Sequence, residues 1–149
     1  MKDQSAALKA VASDARTGTR GAVLLAGAAG AAGARAAETL AAELGTTVSR
    51  VDLGAVVSKY IGETEKHLDA VFAEAERAGA VLLLDEADAL FGKRTAVKDS
   101  QDRYANLDTG DLLARVEEYN GIVLLATNLR TDIDPAFTRR LRVIDYTSR

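Results

Sequence analysis

Residues 23–35 have the sequence VLLAGAAGAAGAR. The continuous apolar run at 22–26 predicts a strand that is buried on both faces, and residues 27–33 form a loop of glycine and alanine. Residues 34–44 have the apolar spacing of a helix, and Gly45 follows at a position where helices commonly end. A strand, a glycine loop and a helix in this order predict a phosphate cradle, because backbone N–H groups and the helix N-terminus converge on one anion.

The alternation of strand and helix continues along the chain. Apolar runs predict further strands at 47–53, 80–84, 122–126 and 143–146, and helical spacing predicts helices at 3–16, 63–78, 107–119 and 134–139. The runs are near-continuous, which is typical of a parallel sheet covered by helices on both faces. We therefore predict an α/β fold, a three-layer sandwich with a five-stranded parallel sheet. We expect one domain over residues 1–149, with an N-terminal helix and lead-in at 1–20 and the core at 21–149.

Composition excludes several classes of function. The net charge of −3 gives no basic footprint, so a nucleic-acid partner is not expected. The absence of cysteine excludes disulfides, thiolate chemistry and cysteine zinc sites. Lys2 and Asp3 interrupt the region where a signal peptide would be apolar, and no apolar run is long enough to span a bilayer. A cytoplasmic protein without membrane contact is therefore expected.

Three further polar segments follow predicted strands, at the sheet edge where ligands of such folds bind. Asp85 and Glu86 follow the run at 80–84, and an acidic pair at this place can hold a magnesium-bound water and polarise an attacking water. Asn128 places an amide after the next strand, and Arg139, Arg140 and Arg142 form a basic cluster. Taken singly, each segment has a simpler interpretation: a helix cap, a turn residue and a solvated basic edge.

Together and in this order, the segments resemble the large domain of an AAA+ ATPase, which is a P-loop NTPase. The resemblance covers residues 20 to about 145 and implies ATP and Mg²⁺ as cofactors. It assigns magnesium binding to Asp85, activation of water to Glu86, the sensor 1 role to Asn128, and an R-x-x-R arginine-finger segment to Arg139 and Arg142, with Arg140 as the alternative. The Walker A positions that would hold the nucleotide are Gly27, Ala28, Ala29, Gly30, Ala31, Ala32, Gly33 and Ala34.

The segment at 58–66, SKYIGETEK, is similar to the first pore loop of this family and the helix after it. In hexameric members, an aromatic-aliphatic-glycine triplet grips a polypeptide in the central channel, which would be Tyr60, Ile61 and Gly62 here. The resemblance thus implies an ancestral homo-hexamer that remodels a protein or peptide substrate. It extends to bacterial stand-alone AAA+ ATPases, including those found with contractile injection systems.

The phosphate loop departs from the family pattern G-P-P-G-T-G-K-[ST]. Gly33 stands in place of the lysine that neutralises the β- and γ-phosphates, and Ala34 stands in place of the hydroxyl that ligates magnesium. Arg35 is two positions late, and a helix turns about 200° over two residues, so Arg35 should point elsewhere. Weak ATP binding and impaired hydrolysis are expected. The sequence ends at Arg149, so the helical lid that the family places after this domain is not expected within it. Because nucleotide and lid both help to close the boundary between subunits, we expect the isolated chain to be monomeric.

Two alternatives remain open at this stage. One is a non-catalytic domain, either a degenerate natural paralogue or an engineered chain that keeps only the fold. The other is a dinucleotide-binding module, because Gly27-x-x-Gly30-x-x-Gly33 fits a glycine pattern for NAD(P), and Asp52 follows 19 positions later where a ribose hydroxyl could bind. The chain has no Tyr-x-x-x-Lys pair, so this alternative would be a binding module only.

Overall fold

The computed structural model describes residues 4–16, 21–28, 30–59, 63–87, 109–128 and 141–146. Its elements in chain order are α1 (Gln4–Arg16), β1 (Gly21–Ala26), α2 (Ala31–Leu44), β2 (Val48–Asp52), α3 (Leu53–Lys59), α4 (Thr64–Ala78), β3 (Val81–Asp85), α5 (Thr109–Glu118), β4 (Ile122–Thr127) and β5 (Arg142–Asp145).

The five strands form one parallel sheet in the order β2-β3-β4-β1-β5. The central strands β3 and β4 are buried along their whole length, as their continuous apolar runs predict. Alternate residues of β3 belong to separate cores, with Leu82 and Leu84 on the side of α3, α4 and α5, and Val81 and Leu83 on the side of α1 and α2. The predicted three-layer α/β sandwich with a five-stranded parallel sheet is confirmed.

Helix ends follow the predicted signals more closely than helix starts do. The helices α2 and α4 end at Gly45 and Gly79, whose φ angles of 70° and 69° need glycine, and each glycine N–H bonds back to the last helical turn. The helix α2 begins three residues earlier than predicted, at Ala31. Residues 53–59 form a helix that the sequence did not predict, and the predicted helix at 134–139 lies outside the described residues.

The early start of α2 brings Gly33 close to the sheet. A Cβ atom at Gly33 would lie 2.6 Å from the carbonyl oxygen of Ala28 and 3.0 Å from the Cβ of Ala126 in β4. The first of these distances is too short for any real Cβ, and its neighbour is backbone that cannot rotate away. Gly33 is therefore a close-approach position that fixes how α2 packs on the sheet.

We predict that Gly33→Ala destabilises the fold, because the added methyl group must displace the Ala28 peptide. Overpacking of about 1–3 kcal/mol, offset by about 1 kcal/mol of helix propensity, leaves a loss of up to about 2 kcal/mol in the free energy of unfolding. Urea denaturation measures this loss.

Gly54→Ala in α3 is the matched control. The nearest atom to its new Cβ would be Oε1 of Glu86 at 2.8 Å, which is the end of a flexible exposed side chain that can rotate away. We expect the free energy of unfolding to change by less than about 0.5 kcal/mol or to rise. Equal losses in the two variants would contradict the close-approach role of Gly33.

Candidate functional site

The carboxyl ends of β1, β3 and β4 bring three of the predicted segments together. The N–H groups of Gly27 and Ala28 donate to the carbonyl oxygen of Thr127 at 2.7 and 3.0 Å, which ties the glycine loop to the end of β4. The N–H of Ala87 donates to the carbonyl of Ala126 at 2.9 Å, which ties the segment after β3 to the same strand. The exposed residue Asn128 follows directly. The glycine loop, the acidic pair and Asn128 thus lie along one sheet edge.

Asp85 is the buried centre of this edge, with only 2% of its surface exposed. Its Oδ1 accepts the N–H of Glu86 at 2.9 Å and the N–H of Gly30 at 3.3 Å. Its Oδ2 accepts Nη2 of Arg50 at 2.5 Å. A buried carboxylate needs such donors, because an ion that leaves water without new hydrogen bonds loses several kcal/mol of hydration free energy.

Arg50 is the residue of this site that the sequence analysis missed. It lies in β2 and pairs in register with Leu83 of β3. Leu83 is two residues before Asp85, so Arg50 and Asp85 lie on the same face of the sheet. The side chain of Arg50 is 52% exposed. The hydrogen bond to Asp85 and the charge of Asp85 raise the pKa of the Arg50 guanidinium, and the charges of Asp52 and Glu86 raise it further. Arg50 is therefore the cation that faces this group of three carboxylates.

Glu86 has an unusual backbone beside the buried Asp85. Its φ of 59° is the one positive φ at a non-glycine residue in the part of the chain that the structure describes. A non-glycine residue in this region costs about 1–2 kcal/mol, and such strain is concentrated at functional sites. The side chain of Glu86 is exposed and reaches the first turn of α3, where Asp52 also caps the helix by accepting the N–H of Ala55 at 3.1 Å. The Glu86 Oε1 lies 2.8 Å from where a Cβ on Gly54 would stand.

The glycine loop has some amides available to an anion and others already engaged. The N–H groups of Gly27 and Ala28 bond to Thr127, that of Gly30 bonds to Asp85, and that of Ala34 bonds to the carbonyl of Gly30 at 3.0 Å. The first residues of α2, from Ala31 to Gly33, have amides without a partner inside the helix, and they lie at the positive end of its dipole. These amides suit a phosphate group.

The loop cannot hold a lysine at position 33 in this conformation, since even a Cβ there would collide with Ala28. Magnesium does not fit this arrangement either, because Arg50 engages one carboxylate oxygen of Asp85 and two amides engage the other. The described residues contain no group of three or more His, Asp or Glu side chains placed to hold a metal ion. As the site stands, the first amides of α2 are not used within the helix, and Arg50 occupies one oxygen of the Asp85 carboxylate.

The other predicted site residues are not brought to this edge. Arg142 is the first residue of β5, opposite Val23, about 10 Å from the carboxyl end of β1 at about 3.3 Å per residue. Its Nη2 donates to Oδ2 of Asp14 in α1 at 2.5 Å. Ala29, Tyr60, Ile61, Gly62, Arg139 and Arg140 lie outside the described residues.

The strand order argues against the dinucleotide interpretation. In the dinucleotide-binding fold, the strand that carries the ribose-binding acid lies directly beside the strand before the glycine loop. Here β3 and β4 separate β2 from β1, so that Asp52 lies three strand spacings, about 14 Å, from the end of β1. Gly33 does show the close helix–strand approach expected of that motif. The acidic residue, however, does not lie where the ribose would be.

A cleft of about 530 Å³ opens beside the edge strand β2. Residues of β2, α3 and α4 line it, among them Arg50, Val51, Asp52, His67, Val71 and Glu74. None of the helices in the described ranges has the length and apolarity that a membrane span needs.

Comparison with known proteins agrees with this geometry. The family model "ATPase family associated with various cellular activities (AAA)" matches residues 23–148. The chain is 34% identical over 122 residues to a proteasome-activating nucleotidase of Aeropyrum pernix, covering 78% of this chain and 30% of that protein. It is 30% identical over 122 residues to the 26S proteasome subunit RPT4 of Saccharomyces cerevisiae, covering 78% of this chain and 28% of that protein. The chain thus spans less than a third of the length of these relatives.

A solved structure supports the fold. The crystal structure of the FIGL-1 AAA domain matches with a TM-score of 0.73 at 22% identity, over 97% of this chain and 52% of that chain. The family match covers most of the sequence, and the sheet edge carries the glycine loop and acidic pair of a P-loop NTPase. The chain belongs to the AAA family of ATPases.

Proposed function

We propose that this chain is a nucleotide-binding AAA domain whose glycine loop receives phosphate through backbone amides alone, and that it binds Mg·ATP weakly and hydrolyses little of it. The main support is Gly33, which stands at the lysine position and packs so closely on Ala28 that the loop has neither the lysine nor room for it. Each missing charge-assisted contact weakens binding by about 1.5–3 kcal/mol.

In this proposal the acidic pair keeps its ancestral assignments. Asp85 is the residue that would hold a magnesium-bound water once Arg50 has moved off its Oδ2, and Glu86 is the base that would orient an attacking water. Asn128 would contact the terminal phosphate from the neighbouring strand. Magnesium, when bound, would neutralise the phosphate charge that the missing lysine no longer offsets.

The assembly and its substrate belong to the same proposal. The proteasome-related names of two relatives support a role in acting on proteins. The ancestral homo-hexamer would place Arg139 and Arg142, or Arg140, at the nucleotide of a neighbouring copy, and Arg142 would first have to leave Asp14. Tyr60, Ile61 and Gly62 would contact the polypeptide in the central channel.

The first prediction is weak nucleotide binding. Because the lysine and the hydroxyl are both missing, the dissociation constant of Mg·ATP should be in the high micromolar range or weaker at physiological salt. Isothermal titration calorimetry measures it. A submicromolar constant would contradict the proposal.

The second prediction concerns restoration of the loop by Ala31→Thr, Ala32→Gly, Gly33→Lys and Ala34→Thr. Two regained contacts of about 1.5–3 kcal/mol each, reduced by about 1–3 kcal/mol for moving the Ala28 peptide, leave about 2.5 kcal/mol at the middle of these ranges, which is a gain of roughly a hundredfold in ATP affinity.

The control carries Gly33→Met together with the other three changes. It needs the same movement of Ala28 but adds no charge, so it should show no gain from the lysine position. Equal affinities for the lysine and methionine variants would mean that the loop does not receive phosphate.

The third prediction is that the isolated chain is a monomer, because arginine fingers act across a subunit boundary that bound nucleotide helps to close. Multi-angle light scattering, with and without Mg·ATP, reports the mass directly. A stable hexamer of the chain at micromolar concentration would show that assembly does not depend on firm nucleotide binding.

A further inference from the structure

We propose that Arg50 is an internal lock on the metal position: its guanidinium occupies Asp85, and a divalent cation reaches this carboxylate only after the Arg50 side chain has moved away. The inference concerns regulation of the site described above and rests on the proposed function for its biological meaning.

The contacts of Asp85 carry the first step. The carboxylate is almost fully buried, and the described residues offer it three donors, the Gly30 and Glu86 amides on Oδ1 and Arg50 on Oδ2. The two amides are backbone groups that fix the loop and the end of β3, so they cannot leave without refolding the edge. Arg50 is the one donor of the three on a flexible side chain. A cation that is to coordinate Asp85 must therefore replace Arg50.

Because both are positively charged, Arg50 and a divalent cation cannot contact the Asp85 carboxylate at the same time. A guanidinium stays charged at all accessible pH values, so Arg50 cannot give way by losing a proton. A divalent ion beside it would meet strong repulsion at the short distances of this edge. With Arg50 removed, Asp85, Asp52 and Glu86 would together attract a divalent cation without compensation.

The surroundings of Arg50 make its departure possible. Its side chain is 52% exposed although its partner is buried, and it belongs to β2, which is an edge strand of the sheet. The side chain can thus rotate from Asp85 into solvent without disturbing the core.

The positive charge at this edge belongs to Arg50 and not to the glycine loop. The glycine loop at 27–34 contains no charged residue, and Arg50 reaches the same carboxylate that binds the Gly30 amide. The guanidinium of Arg50 comes from β2, the strand beside β3, and it pairs with Asp85 rather than with phosphate.

The experiment measures Mn²⁺ binding to the full chain without nucleotide, by the loss of the free-ion signal in electron paramagnetic resonance. The variants are Arg50→Gln, Arg50→Lys, and Arg50→Gln combined with Asp85→Asn. Arg77→Gln is the matched control, because it removes an arginine from an exposed ion pair with Glu74 away from the sheet edge.

We expect Arg50→Gln to bind Mn²⁺ more tightly than the unaltered chain by about tenfold or more. Arg50→Lys should stay close to the unaltered chain because it keeps the charge. The double variant should lose the gain, and Arg77→Gln should not differ from the unaltered chain. Unchanged or weaker Mn²⁺ binding by Arg50→Gln would overturn the lock, and so would a gain that survives in the double variant.

A measurement on the unaltered chain covers the case in which Arg50→Gln does not fold. Nitrogen NMR of the arginine side chains, during titration with Mg²⁺, follows the guanidinium of Arg50 directly. Rotation of the Arg50 guanidinium should become fast as Mg²⁺ binds at Asp85. Saturation of Asp85 by Mg²⁺ with the Arg50 signal unchanged would overturn the proposal.

These outcomes separate the lock from the proposed function. Nucleotide is absent from both measurements, so a chain that binds no ATP can still show the gain in Mn²⁺ affinity. Conversely, a chain whose restored loop binds ATP can still show no gain in Mn²⁺ affinity when Arg50 is replaced.

Discussion

The buried carboxylate of Asp85 must have hydrogen-bond donors, and the sheet edge is organised around supplying them. One donor comes from the glycine loop after β1, one from the backbone after β3, and one from the side chain of Arg50 in β2. These donors come from segments far apart in sequence. Satisfying one buried charge therefore holds the loop, the end of β3 and the edge strand in a common position.

Gly33 imposes the second constraint on the same edge. Because Gly33 has no Cβ, the start of α2 can lie close against the Ala28 carbonyl and the side chain of Ala126. This packing leaves no space for the lysine that the family places there. The loop itself carries no charged residue, and the guanidinium at this sheet edge is that of Arg50, in a strand three positions away from β1 in the order of the sheet.

The sequence predicted the parts of the site that depend on order along the chain. A strand followed by glycines predicted the loop, and acidic and amide residues directly after apolar runs predicted Asp85, Glu86 and Asn128 at one edge, because parallel strands end on the same side. It missed Arg50, since a charged residue in a partly exposed strand is ordinary. Arg142, which the resemblance assigns to the arginine-finger segment, pairs with Asp14 in this structure, and this contact could not be read from the sequence.

By itself, the sequence determined that the chain forms a parallel sheet between two layers of helices, because continuous apolar runs can be buried only between two covered faces. It also determined that positions 33 and 34 of the loop are glycine and alanine, so that neither a charge nor a hydroxyl is present there. Only the tertiary structure decided which strands are neighbours. That order separated Asp52 from the glycine loop and placed Arg50 beside Asp85. Strand order depends on how the whole sheet packs, which no local pattern of residues contains.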